Sequence, residues 1–239
     1  MFAMLYKGIE NRQELFSLLK ELAVDYRKRT RRHGKAELIL IGGSSVLAAY
    51  SFRSSTSDVD ALISGDSELL EAAHSVAFSH DLAPEWLNDD FKKTDSYTPN
   101  IIQYSQYIRT LANCVQIRSV TAGYLVAMKL HSFRSYKHDL SDVIGVVAEE
   151  REKGNILTFE AVSKCTQDLY GPQAQLSPDA ASFLRNLLAI QDLGPFYKTI
   201  VSEEKDAHQK LVELSKSEPR KIKLASKSEL QTLLKAPKK

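Results

Sequence analysis

Cysteine is scarce in this 239-residue chain: only Cys114 and Cys165 occur, far apart and in no metal-like spacing. That excludes a disulfide framework or a thiolate zinc site and sets a reduced, cytoplasmic protein as the expectation. Long apolar runs are missing too. No stretch approaches the roughly 20 residues of a membrane span, and the opening MFAMLYKGIE has no charged leader before a long apolar core, so a soluble protein without a membrane partner is expected. No internal repeat is found. A further absence is local: between Ser96 and His138 the chain carries no Asp or Glu at all. What remains is globular in composition, 43% apolar and 26% charged, which argues against overall disorder.

The formal net charge of +2 hides an asymmetry. Six Lys or Arg and no acid fill Tyr26 to Lys35 (YRKRTRRHGK), and the segment from Glu218 to Lys239 holds seven against two acids. The body between is therefore acidic, and the basic segments could meet phosphate. A helix is expected from Asn11 to Arg32, with Asn11 and Glu14 as a capping box, Leu15, Leu18, Leu19, Leu22 and Tyr26 on one face, and Gly34 as its stop. Its basic end reads either as a solvated terminus favoured by the helix dipole or as a nucleic-acid contact.

The stretch Ile39 to Ser64 (ILIGGSSVLAAYSFRSSTSDVDALIS) carries the most chemistry. Glu37 to Ile41 reads as a buried strand, ended by Gly42 and Gly43. Ser44 and Ser45 stand where a helix N-cap would be, ahead of Val46 to Tyr50. A strand, a tight glycine turn and a helix start leave backbone N–H groups that can hold a phosphate. After Arg53 and a polar connection, Asp58 and Asp60 fall on one face of a further strand. Two adjacent carboxylates repel unless a cation lies between them, and Mg²⁺, which bridges carboxylates to substrate phosphates, suits the position.

Downstream, helices are expected at Asp66 to Phe78, Thr121 to Tyr136, His138 to Glu150, Thr158 to Tyr170, Ser177 to Leu193 with Gly194 and Pro195 as a stop, and Phe196 to Lys216. Cys114 to Val120 alternates as a half-exposed strand. The last residues, set apart by Pro219, form one short helix from Ser228 to Lys235 or order on a partner.

Gly42, Gly43 and Ser44, followed by Arg53, Thr56, Asp58 and Asp60, resemble the signature of the nucleotidyltransferase superfamily, the group related in fold to DNA polymerase β. Ala127, Lys129, Leu130, Arg134, Lys137, Asp139 and Asp142, in that order, resemble the second motif of bacterial AbiEii-type toxins and related nucleotidyltransferases. The resemblance spans Ile39 to Val147. It implies an α/β fold, a mixed sheet flanked by helices, followed by a C-terminal helical domain: residues 1–120 as the nucleotidyltransferase core, 121–217 as a helical domain completing the site, and 218–239 as a basic tail. It implies that Ser44, with Gly42, Gly43, Ser45, Arg53 and Thr56, holds the nucleotide. Asp58 and Asp60 would bind Mg²⁺. Lys129 and Arg134 would neutralise the triphosphate, and Asp142, or less readily Asp139, would complete the site. The implied reaction moves an NMP from NTP to a hydroxyl of a tRNA or a protein, with an antitoxin protein as a further partner.

Two departures stand out. The superfamily places a third carboxylate on a later strand, where this chain has Gln116 in the acid-free interval. One extra residue separates Arg53 from Thr56. Plainer readings stay open: Asp139 and Asp142 pairing with Lys137 or capping a helix, Lys129 snorkelling from a core helix, and Asp58 pairing with Arg53. Two other functional classes also stay open, a catalytically silent module binding nucleic acid or protein and a small-molecule-modifying enzyme.

Overall fold

The computed structural model describes residues 6–235. The fold is α/β: a mixed five-stranded sheet with flanking helices and further helices after it. The chain divides into two compact units, residues 1–125 with 167–173 and residues 126–166 with 174–239.

The first unit opens with α1 (Arg12–Arg29), capped by Asn11 Oδ1, which accepts from Glu14 N at 2.8 Å, while the Glu14 carboxylate reaches back to Glu10 N. The expected stop at Gly34 is corrected. Left-handed backbone begins at Arg31 and Arg32 (φ 50 and 72), and Arg32 N bonds back to Arg27 O at 2.9 Å. Two arginines thus take the conformation that glycine usually supplies at a helix C-terminus. Gly34 serves another purpose: a β-carbon there would lie 2.6 Å from the Thr30 side chain.

The sheet order is β3-β2-β1-β5-β4, with β1 (Ala36–Leu40), β2 (Val59–Ser64), β3 (Leu87–Asn88), β4 (Ser105–Leu111) and β5 (Val115–Val120). β1 is antiparallel to β2 and parallel to β5. Alternate residues Ala36, Leu38, Leu40, Val59, Ala61, Val115 and Ile117 join one core with the apolar faces of α1 and α3 (Ser67–Ser79). This is the period-two burial of a strand meeting the helical period of its cover. Trp86 is buried in the same core and donates from Nε1 to Ala73 O at 2.9 Å.

Between β1 and β2 lies α2 (Gly42–Ala49), and here a second expectation is corrected. Ile41, not a serine, is the N-cap, so both glycines lie in the first turn and Ser44 and Ser45 follow inside the helix. The chain can turn this sharply because Gly42 adopts φ +59.

The second unit holds α5 (Asp139–Glu152), α7 (Pro178–Ala189), α8 (Gly194–Ser217), α9 (Pro219–Leu224) and α10 (Lys227–Lys235), together with most of α4 (Ala122–Ser132) and the first two turns of α6 (Phe159–Tyr170). α4 is shorter than expected: Phe133 turns left-handed (φ 43), which leaves Arg134 and Lys137 in a connection rather than on a helix. Gly194 and Pro195 start α8 instead of stopping α7, as suits proline in a first helical turn. α7 ends at Ala189, and the Arg151 guanidinium takes up the carbonyl of its C-cap Ile190 at 2.7 Å. The tail contains two helices, α9 and α10, rather than one.

Gly34→Ala should destabilise the protein by about 1–3 kcal/mol, because the added carbon overlaps the Thr30 β-carbon as well as its mobile ends. Chemical denaturation measures this, and an unchanged midpoint would show that the turn relaxes freely.

Candidate functional site

In the first unit, one end of the sheet gathers the first motif. Leu40 pairs with Ala61, and Ile41 N donates to Asp60 O at 3.0 Å, so the end of β1 meets the start of β2. Asp60 is the second residue of β2, and Asp58 immediately precedes the strand. The two partly exposed carboxylates are two residues apart, which in extended chain gives them one face.

Glycine is favoured beside them for two different reasons. Gly42 takes φ +59, and a β-carbon there would only touch Asp60 Oδ2, at 3.4 Å. One at Gly43 would sit 2.8 Å from Arg53 Nη2 and 3.0 Å from Thr56 Oγ1. The structure therefore brings Gly42, Gly43, Arg53, Thr56 and Asp60 together at the start of α2. Arg53 is steadied by donation from Nε to Ser55 O at 3.0 Å, and Thr56 by donation from Oγ1 to Asp58 O at 3.0 Å. Thr56 also pairs through its main chain with Ile9, anchoring the loop to the segment before α1. Asp58 Oδ1 accepts from Ser57 Oγ at 3.1 Å.

The serines face inward. Ser44 is buried, and its Oγ lies 2.8 Å from both Ile41 O and Asp60 O, within reach of either carbonyl for its single proton. It ties the first turn of α2 to β2. Ser45 is also buried and shares a 2.6 Å hydrogen bond with Ser119 Oγ on β5.

The register of β5 moves the position expected of a third carboxylate. Gln116 pairs with Glu37, which faces Ser64 at the far end of β2, so Gln116 is remote from Asp60. Leu40 pairs with Ser119, which puts Val120 in the row of Asp60 and Arg118 one pleat behind it on the same face. Arg118 donates from Nε to Ser105 Oγ at 2.8 Å and from Nη2 to Ser105 O at 2.5 Å.

The second motif forms a buried charge cluster in the second unit. Lys129 Nζ lies 3.1 Å from Asp139 Oδ1 and 2.7 Å from Asp142 Oδ2. Arg134 adds a two-pronged contact to Asp139, Nε to Oδ2 at 2.8 Å and Nη2 to Oδ1 at 3.1 Å, and its own backbone N–H donates to Oδ2. Lys129 thus bridges two carboxylates inside the unit instead of snorkelling to water. Burial, the largest influence on Asp139, pushes its carboxyl up, but the charges of Lys129 and Arg134 outweigh it and hold it down at about 2. Arg134 keeps 27% of its side chain exposed against 11% for Lys129, so it is the more available cation of the two.

Glu204, which the sequence did not reveal, supports the helix start that carries both aspartates. From α8 its Oε1 accepts from Leu140 N at 2.9 Å and Ser141 N at 3.2 Å, supplying the first turn of α5 with a charged cap. Its Oε2 lies 3.7 Å from His138 Nδ1.

The donor set fits Mg²⁺ in kind: two partly exposed carboxylates are hard oxygen ligands. Among the described residues no group of three or more His, Cys, Asp or Glu could hold a metal, so the pair would depend on substrate oxygens and water for further ligands.

Because the Asp139 carboxyl is lowered from 3.8 to about 2, the cluster adds stability that is complete above about pH 4 and lost as the pH falls towards 2. Across that range the parent protein should lose about 2 kcal/mol more than Asp139→Asn does, measured by urea unfolding at stepped pH. Parallel curves would show that Asp139 is not held down by its partners.

A sequence profile described as "Nucleotidyltransferase of unknown function (DUF6036)" matches residues 13–158. No curated protein and no solved structure matches the chain. The matched span covers α1, the whole sheet, the glycine turn with its two aspartates and the Lys129 to Asp142 cluster, and the chain belongs to this nucleotidyltransferase family.

Proposed function

We propose that this protein is a Mg²⁺-dependent nucleotidyltransferase that moves a nucleoside monophosphate from NTP to an acceptor hydroxyl, of a tRNA or a protein, with release of pyrophosphate. The observation that carries this reading is the convergence of Gly42, Gly43, Arg53, Thr56 and Asp60 at the start of α2. The first amides of a helix lack intrahelical partners and suit an anion. In this reading the amides of Gly42, Gly43 and Ser44, the first three of α2, hold the outer phosphates, and Ser44 contributes through its main chain while its hydroxyl fixes α2 against Asp60. Arg53 balances phosphate charge beside them. Asp58 and Asp60 hold Mg²⁺, which when bound supplies charge neutralisation on the triphosphate and activation of the acceptor hydroxyl. Within the second unit, Lys129, Arg134, Asp139 and Asp142 form a charge cluster in which Lys129 fixes Asp142 and Arg134 is the cation offered for phosphate charge.

The order of residues from Ala127 to Asp142 supports a place among toxin-type nucleotidyltransferases, with a protein antitoxin as partner. The basic turn from Arg27 to Lys35 favours RNA as acceptor. No helix among the described residues is long and apolar enough to cross a membrane.

A second reading, a catalytically silent module that binds nucleic acid or a protein, is favoured by one observation. The β5 position behind the row of Asp60 carries a cation, Arg118, where a third carboxylate would assist catalysis. One experiment separates the two. Incubated with each α-labelled NTP, Mg²⁺ and total RNA or lysate, the parent should label an acceptor, and Asp58→Ala/Asp60→Ala should lower labelling about a hundredfold or more. Sensitivity of the label to ribonuclease or protease then identifies the acceptor. Equal labelling by parent and double variant would remove the enzyme reading and leave the silent module.

A further inference from the structure

Beyond the phosphate end of the site, the same end of the sheet carries an aromatic pair that the proposed mechanism does not use. β1 and β5 run parallel and β2 runs against them, so the chain leaves the sheet at Gly42 and Thr121 on the edge where Asp58 enters it. Tyr124 stands in the first turn of α4, immediately after β5. Tyr104 directly precedes β4, and its carbonyl accepts from Thr121 N at 3.3 Å. The two rings stack with centroids 4.1 Å apart and planes 14° from parallel.

The pair is held from several directions. Tyr124 donates its hydroxyl to Asp168 Oδ2 at 3.1 Å. The neighbouring main chain of α6 is pinned to the segment before Tyr104, since Thr98 Oγ1 and Asn100 Nδ2 donate to Leu169 O at 2.9 and 3.0 Å. Both rings nevertheless stay partly exposed, where a core aromatic pair would be covered. Tyr124 follows β5, two strands from β2 or about 10 Å across the sheet, and Tyr104 precedes β4, one strand further at about 14 Å, a span open to a ribose and a base extending from a phosphate at Asp60. The acid-free interval from Tyr97 to Lys137 surrounds the pair in sequence, so this part of the chain brings no carboxylate to repel a polyphosphate.

We propose that Tyr104 and Tyr124 form a stacking platform for the nucleobase of the substrate, with Asp168 as the positioning residue that orients Tyr124. This rests on the nucleotide-site reading above and adds a base subsite to it. Stacking uses the π-face that every base has, so the platform supplies affinity for a base with little choice among the four.

The test uses the full chain with Mg²⁺ and compares calorimetric binding of the four NTPs with that of inorganic tripolyphosphate, which has no base. Tyr104→Leu keeps apolar bulk and removes the ring. It should weaken each NTP about tenfold or more and leave tripolyphosphate unchanged, while Tyr104→Phe should bind as the parent does. Tyr124→Phe, which loses the hydrogen bond to Asp168 but keeps the ring, should weaken NTP less than Tyr104→Leu. The inference is overturned if Tyr104→Leu weakens NTP and tripolyphosphate alike, or neither. If the parent binds tripolyphosphate and NTP equally, the phosphate site stands and the platform is rejected. If it binds neither, the nucleotide-site reading fails and this inference with it.

Discussion

The site depends on how closely α2 approaches the start of β2. Three contacts set that approach: the Ser44 hydroxyl between the carbonyls of Ile41 and Asp60, the Ile41 N–H on Asp60 O, and the left-handed Gly42 that lets the chain turn beside the Asp60 carboxylate. Together they place a helix N-terminus and a carboxylate side by side, an arrangement of opposite electrostatic character that a triphosphate with its cation can complete. Nearby burial serves this join. Ser45 fixes the next residue of α2 to β5 through Ser119, and the core of α1, α3 and the sheet holds the strands that carry both ends.

The second unit solves a different electrostatic problem. Asp139 is fully buried, and an isolated buried carboxylate would be costly, so Lys129 and Arg134 surround it while Asp142 shares the lysine. Glu204 extends the logic to the backbone by capping the same helix start that bears both aspartates. The geometry of the cluster is thus set by mutual compensation of charge.

Much of this could be read from the sequence, because it depends on local rules. A short apolar run gave β1, the doubled glycine gave the turn, and Asp58 with Asp60 gave the paired carboxylates. Misreadings arose where two neighbouring signals competed. Gly34 looked like the helix stop because glycine usually takes the left-handed position, yet Arg31 takes it and Gly34 makes room for Thr30. Ser44 looked like an N-cap because serine favours that place, yet the glycines before it are already helical. What stayed hidden was long-range: the β5 register that sets Arg118 nearer to Asp60 than Gln116 on the face they share, and Glu204, which caps a helix 64 residues earlier in the chain. No local pattern encodes such pairings.

The central claim, that the glycine turn at the start of α2 is where a nucleotide's phosphates are held, is tested most directly by adding one carbon there. In Gly43→Ala that carbon would meet Arg53 at 2.8 Å and Thr56 at 3.0 Å, both side-chain contacts that can shift without unfolding the sheet. Calorimetry of NTP with Mg²⁺ should then show binding to the parent and a loss of about tenfold or more in Gly43→Ala, with an unfolding midpoint near that of the parent. Equal NTP affinity in the two proteins would contradict the account.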